Sequence, residues 1–156
     1  MHLYLLRHAE AEPHRADDFS RRLTEKGQKQ ARRVGCFMKA QFMRPDIILA
    51  SPVVRALETA EIVSRIIGKT DLVQVPWAAC GMDPGTAIAE LGSYNRFKSI
   101  LLVGHEPDFS CLVATILGIA HSTSVNISKA SLTEIESSRF APGAGVLKLL
   151  LPVNCL

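Results

Sequence analysis

Three short apolar runs in this chain each end in residues suited to holding phosphate. Leu3 to Leu6 runs into Arg7-His8-Ala9-Glu10. Ile47 to Ala50 runs into Ser51-Pro52, with Arg55 one helical turn further on. Ile100 to Val103 runs into Gly104-His105-Glu106-Pro107. Arginine presents a planar fork of donors that matches phosphate oxygens and stays charged at any working pH. A neutral imidazole nitrogen can attack phosphorus and form a phosphoramidate. A second histidine, protonated, can balance the charge on the phosphoryl oxygens in the transition state. A helix beginning at Ser51 would add backbone donors and the positive end of its dipole. Taken singly, each residue has a plainer explanation: an Arg-His pair after a strand is common, Arg55 reads as a solvated helix residue, and His105 as a satisfied core histidine. Taken together, three charged strand ends in one place carry an unfavourable Coulomb energy that packing does not explain. Such a cost is tolerated for an anionic ligand. With so many fixed donors the chemistry requires no metal ion, and no cofactor is expected.

For these groups to meet, the three runs must be parallel strands with their carboxyl ends on one edge of a sheet, where ligands bind in open α/β folds. Between them lie helical patterns. Thr24 reads as an N-cap for a helix reaching about Phe42, with Ala31, Val34, Gly35, Met38 and Phe42 along one stripe. Ser51 reads as a cap and Pro52 as the opening residue of a helix that runs to about Ile67 and stops at Gly68. Leu72 to Val75 reads as a short strand ended by Pro76. Residues 77 to 86 read as irregular and Thr86 to Leu91 as a short helix. After Pro107, the residues Phe109, Leu112, Val113, Ile116 and Leu117 form one helical face. Near the end, the runs 132–135 and 146–151 flank the turn Pro142-Gly143-Ala144-Gly145 and read as an antiparallel pair at or near a sheet edge. The alternation implies an α/β sandwich with a mainly parallel sheet, in one domain spanning residues 1–156.

Composition narrows the function. The chain has 156 residues, 47% of them apolar and 21% charged, and a formal net charge of +3. That mild basicity suits an anionic substrate and argues against nucleic acid, because no long basic run is present. Four cysteines, Cys36, Cys80, Cys111 and Cys155, form no close pair and no zinc spacing. Cys36 and Cys111 fall within apolar helical patterns and read as buried reduced thiols. The apolar start is too short for a signal peptide, and no run approaches the roughly 20 residues of a membrane span. A cytoplasmic protein without a membrane partner is the expectation. His2, His14 and His121 read as surface histidines, and Trp77 as a partner contact or part of a satellite core.

The segments LLRHAEA, RRLTEKGQKQA, SPVVRALETA and LLVGHEPDF, in this order, resemble the histidine phosphatase superfamily, which has the phosphoglycerate mutase-like fold. The compact length and the arginine two places before Leu23-Thr24 are most similar to SixA-type phosphohistidine phosphatases. The resemblance covers nearly the whole chain. It implies a three-layer α/β/α sandwich, a cleft at the strand carboxyl ends, attack by His8, and a phosphohistidine intermediate that water hydrolyses. It assigns Arg7, Arg55 and His105 to the phosphate pocket, and Arg21 as an additional phosphate-binding arginine, with Arg22 adjacent. The general acid is less defined. Asp83 and Glu90 lie in the region from which the mutase-like branch takes one. Glu106 stands directly after the second histidine, where the acid-phosphatase branch has one, and where a carboxylate would equally stabilise the start of a helix. SixA-type members dispense with a dedicated acid. The implied partner is a phosphorylated protein, such as a histidine-containing phosphotransfer domain. A small phosphorylated metabolite is the alternative substrate, and a non-catalytic phosphoprotein-binding module the alternative role. Only about 15 residues separate His8 from Thr24 and about 30 separate Gly68 from the third strong run, too little for a folded lid, so a shallow mouth is expected.

Overall fold

Side chains alternate between the two faces of a strand, and the central strands here are apolar at nearly every position, so both faces must be covered. The computed structural model describes residues 1–14, 17–68 and 70–156. Its strands are β1 (His2–Arg7), β2 (Ile47–Ala50), β3 (Leu72–Gln74), β4 (Ser99–Gly104), β5 (Leu132–Ser137) and β6 (Gly145–Leu151). They form one sheet in the order β3-β2-β4-β1-β5-β6. Strands β3, β2, β4 and β1 run parallel; β5 and β6 are antiparallel additions on the β1 side. Tyr4, Leu6, Ile48, Ala50, Leu101 and Val103 join a core with α1 (Glu25–Ala40) and α2 (Val54–Ile67). Their neighbours Leu3, Leu5, Ile47, Leu49, Ile100 and Leu102 join a second core with α3 (Pro84–Gly92) and α4 (Asp108–Leu117). The result is the three-layer α/β/α sandwich of the phosphoglycerate mutase-like fold.

The helices follow their local signals, with three corrections. Thr24 caps α1, its hydroxyl accepting from the Gly27 N–H at 3.0 Å. Ala31, Val34, Gly35 and Met38 are buried as the stripe requires. The helix stops at Ala40, short of Phe42. Phe42 adopts φ 56°, and Met43 N–H donates to the Met38 carbonyl at 2.8 Å. This reversal turns the Phe42 ring out, leaving it 81% exposed. The second correction concerns Ser51, which does not cap α2. That helix begins at Val54, after Val53 and without a side-chain cap bond. Ser51 instead serves His105, as described below. Helix α3 starts earlier than the sequence suggests because Asp83 caps it, accepting from Thr86 N–H at 2.7 Å, and Pro84 follows in the first turn. It turns Ala87 and Leu91 into the core. All four cysteines are free; Cys36 is exposed rather than buried and Cys111 only half-buried. Cys36 follows the buried Gly35 by one residue, a rotation of about 100° that takes it off the stripe.

Close approaches bring the elements flush at the site. His8 N–H donates to the Gly104 carbonyl at 3.0 Å and Ser51 N–H to the Val103 carbonyl at 2.9 Å, so the ends of β1, β2 and β4 lie level. A Cβ on Gly104 would meet the Phe109 ring at 2.9 Å, and one on Gly27 would meet the Glu10 carbonyl oxygen at 1.9 Å. Only glycine lets α1 close on the segment that follows His8. Among the described residues, no helix is long and apolar enough to cross a membrane.

Candidate active site

His8 is the first residue beyond β1 and is buried. Its Nδ1 lies 2.8 Å from the Ala9 carbonyl oxygen. A carbonyl only accepts, so Nδ1 carries the proton and the lone pair resides on Nε2. Arg55 Nε donates to that Nε2 at 3.2 Å. Burial is the main force holding the His8 pKa down to about 3; the charges of His105, Arg55 and Arg7 act in the same direction, against the Ala9 carbonyl bond. The imidazole is therefore neutral at neutral pH, the state a nucleophile needs. Thr59 fixes the backbone beside it. Its hydroxyl accepts from Ala9 N–H at 3.1 Å and donates to the Arg55 carbonyl at 2.7 Å, locking the end of β1 to α2.

The ring of His105 lies 5.3 Å from that of His8, centroid to centroid, tilted by 54°. Its Nε2 is 2.7 Å from the Ser51 hydroxyl, and its buried Nδ1 has no partner among the described residues. Burial first, then Arg55, brings the His105 pKa down to about 4, with Asp18 opposing. The ring is therefore neutral in the resting site, whereas the protonated state expected of it belongs to the transition state with a phosphoryl group bound. A neutral ring accepting from Ser51 at Nε2 offers Nδ1–H as a donor, and an anion beside it would raise its pKa.

The arginines divide as follows. Arg55 is buried, and besides His8 it donates through Nη1 to the Asp18 carbonyl at 2.8 Å. Arg7 donates through Nη1 to the Ile127 carbonyl at 2.8 Å, while its buried Nε lacks a partner among the described residues. Arg21 donates to the Glu12 carbonyl at 2.8 Å and pairs with Asp18 at 2.6 Å; its Nε is likewise buried without a partner. Arg22 turns away to Glu58 at 2.6 Å and is largely exposed. Of the two neighbours, Arg21 is the one that meets Arg55, through the shared Asp18 carboxylate. Buried donors without partners are costly, and three of them here belong to Arg7, Arg21 and His105.

Glu106 accepts from the Ser110 hydroxyl at 2.8 Å, and its Oε1 is buried without a partner among the described residues. Burial raises its pKa, against Ser110 and Arg7. The acidic residue in the first turn of α4 is Asp108, not Glu106. Asp83 is spent on capping α3 and Glu90 is exposed on it. Of the other histidines, His2 pairs with Glu134 at 2.8 Å and His14 with Asp18 at 3.1 Å; His121 is exposed. Trp77 packs half-buried on the second core. Three contributors escaped the sequence reading: Asp18, which lies in a polar loop without periodicity, Ser51, whose cap signature disguised it, and Thr59. The spacing of Thr59, one turn after Arg55, was the available signal for the last.

Residues 3–76 match the family model of the histidine phosphatase superfamily (branch 1). An uncharacterized protein of Picosynechococcus is 30% identical over 145 residues, covering 88% of this chain and 86% of that one. Phosphohistidine phosphatase SixA of Escherichia coli is 29% identical over 120 residues, 74% of each chain. The structure of the protein histidine phosphatase SixA complexed with tungstate superposes with a TM-score of 0.89 at 22% identity, covering 99% of this chain and 98% of that one. The fold is shared as well by an alpha-ribazole phosphatase from Shigella flexneri and a phosphoserine phosphatase from Entamoeba histolytica. The chain belongs to the histidine phosphatase superfamily and is a phosphatase, similar to SixA.

Proposed function

We propose that this phosphatase hydrolyses phosphohistidine on a protein, with His8 as the nucleophile and a histidine-containing phosphotransfer domain as the partner. The observation that carries this reading is His8 itself: a buried neutral imidazole whose Nδ1 is tied to a carbonyl and whose Nε2 lone pair faces a guanidinium. In the reaction Nε2 attacks phosphorus while Arg55 Nε moves from Nε2 to a phosphoryl oxygen. The P–N bond of the substrate breaks, and its imidazole, protonated on the far nitrogen, leaves as a neutral molecule. Water then attacks the phosphorus, releasing inorganic phosphate and restoring neutral His8. Arg7, Arg21 and His105 supply donors to the phosphoryl oxygens, fixed in place beforehand. Every step uses side chains alone, without a metal ion or cofactor.

A protein substrate is favoured by how the chain spends its loops. The segment most able to fold over the mouth carries α3, whose apolar residues Ala87 and Leu91 are buried in the second core instead. A small metabolite needs enclosure to be gripped, whereas a protein brings its own surface. Comparing kcat/KM for a phosphorylated phosphotransfer domain with that for a sugar phosphate tests the choice. The domain should win clearly; preference for the sugar phosphate would reject the protein substrate and leave the His8 chemistry standing.

Glu106 supports a second, narrower role. A carboxyl whose pKa burial raises is suited to protonating a poor leaving group such as an alkoxide. Glu106→Gln should slow phosphomonoester hydrolysis at least about tenfold more than phosphohistidine hydrolysis. Equal slowing of both would reduce Glu106 to a structural residue.

A further inference from the structure

The pocket gathers Arg7, Arg21 and Arg55 around two histidines, and like charges this close repel unless something offsets them. Asp18 is placed to do so. Its carboxylate lies 2.6 Å from Arg21 Nη2 and 3.1 Å from Arg55 Nη2, and its main-chain carbonyl accepts from Arg55 Nη1 at 2.8 Å. His14 approaches the same carboxylate at 3.1 Å. The segment that carries Asp18 is fastened on both sides. Val54 N–H of α2 donates to the Phe19 carbonyl at 3.3 Å, and Glu12 N–H to the Arg22 carbonyl at 2.9 Å beside the Ala11–Leu23 bridge. Burial alone would raise the carboxyl pKa, but the His14 bond and the charges of Arg55 and Arg21 outweigh it and hold the pKa low. These partners favour the ionised carboxylate.

We propose that Asp18 is a positioning residue for phosphoryl transfer, clamping Arg21 to Arg55 with one carboxylate so that Arg55 stands fixed against His8 and Arg21 stands fixed against Arg55. This rests on the reading that the pocket takes a phosphoryl group. The competing role is that of a stand-in anion, which must leave before phosphate enters. The donor inventory favours the clamp. A guanidinium has five N–H donors. Arg55 commits Nε to His8, one contact from each terminal nitrogen to Asp18, and a further one from Nη2 to Cys80 Sγ at 3.5 Å, so one N–H of Nη1 remains for a ligand with Asp18 in place. Arg21 likewise keeps a buried Nε without a partner among the described residues. A stand-in for phosphate would be expected to absorb those donors; Asp18 leaves them open. Arg55 acts directly on the nucleophile, so what fixes Arg55 also fixes the lone pair it guards.

The test compares Asp18→Asn and Asp18→Glu with the parent. Tungstate affinity is read by calorimetry and kcat/KM is read on a phosphorylated phosphotransfer domain. Asn matches the size but not the charge, and misplacing a pocket group by a fraction of a turn of its side chain should weaken tungstate binding and lower kcat/KM roughly ten- to hundredfold. Asp18→Glu should recover part of both, which a merely structural role would not predict for the longer side chain. An Asp18→Asn protein that binds tungstate as tightly as the parent, or more tightly, overturns the clamp in favour of the stand-in. Should Asp18→Asn fail to fold, Asp18→Glu decides alone: intermediate affinity upholds the clamp, and unchanged or tighter affinity overturns it. The tungstate arm needs no turnover. A parent that binds tungstate but hydrolyses no phosphohistidine would defeat the proposed substrate and still allow Asp18 to be judged.

Discussion

At the scale of single residues, the proposed chemistry rests on two histidines kept neutral inside a positively charged pocket. An ordinary histidine titrates at 6.5; burial and the neighbouring charges bring His8 to about 3 and His105 to about 4. A depressed histidine pKa means that the unfolded chain takes up protons which the native protein refuses. Stability contributed by these rings is therefore complete above about pH 6.5 and falls as pH drops toward about 4 and then about 3. Histidine NMR of the free protein checks this directly. The His8 and His105 ring resonances should stay flat as pH falls through the ordinary histidine range. A midpoint near 6.5 for His8 would contradict the site as described. Arg7, His8, Arg55 and His105 were legible in the sequence because each sits at or just beyond a strand end, where strand order alone brings them together. Asp18 was not, because its partners Arg21 and Arg55 lie on different elements and a polar loop carries no period. Ser51 was misread because serine before proline at a helix start has the same appearance whether its hydroxyl caps the helix or reaches a histidine 54 positions away.

At the scale of elements, hydrophobic period decided most of the fold. Residues Leu3 to Leu6, Ile47 to Ala50 and Ile100 to Val103 are apolar throughout because they are covered on both faces, and they are the parallel strands β1, β2 and β4. Where period runs out, local geometry takes over. Phe42 fits the α1 stripe by spacing, yet the helix has ended at Ala40 with Gln41 as its C-cap and the chain reverses at Phe42 itself, and periodicity contains no information about where a helix stops. Gly27 shows the opposite case, a residue that looks unfavourable within a helix and is required there. Substituting alanine would place Cβ 1.9 Å from the Glu10 carbonyl oxygen, forcing α1 away from the segment after His8. Gly27→Ala should gain helix propensity but lose about 1–3 kcal/mol to overpacking, a net destabilisation read as a lower urea midpoint. A midpoint equal to or above the parent's would show that α1 does not bear on that segment as closely as described.

At the scale of the whole molecule, one sheet edge gathers what distant parts of the chain supply: β1 gives Arg7 and His8, α2 gives Arg55 and Thr59, the end of β4 gives His105, and the 17–22 segment gives Asp18 and Arg21. The parallel order β2-β4-β1 makes this possible, since parallel neighbours present the same end to the same edge. The substrate is a property of the mouth and the surface around it, on which strand periodicity and strand-end motifs have no bearing. The central claim is covalent: the phosphoryl group passes through His8. Rapid quenching of the enzyme during turnover of a phosphotransfer domain carrying labelled phosphohistidine should trap acid-labile label on a single peptide containing His8, and His8→Ala should show neither the label nor turnover. Label on another residue, or turnover by His8→Ala within about tenfold of the parent, would contradict the account.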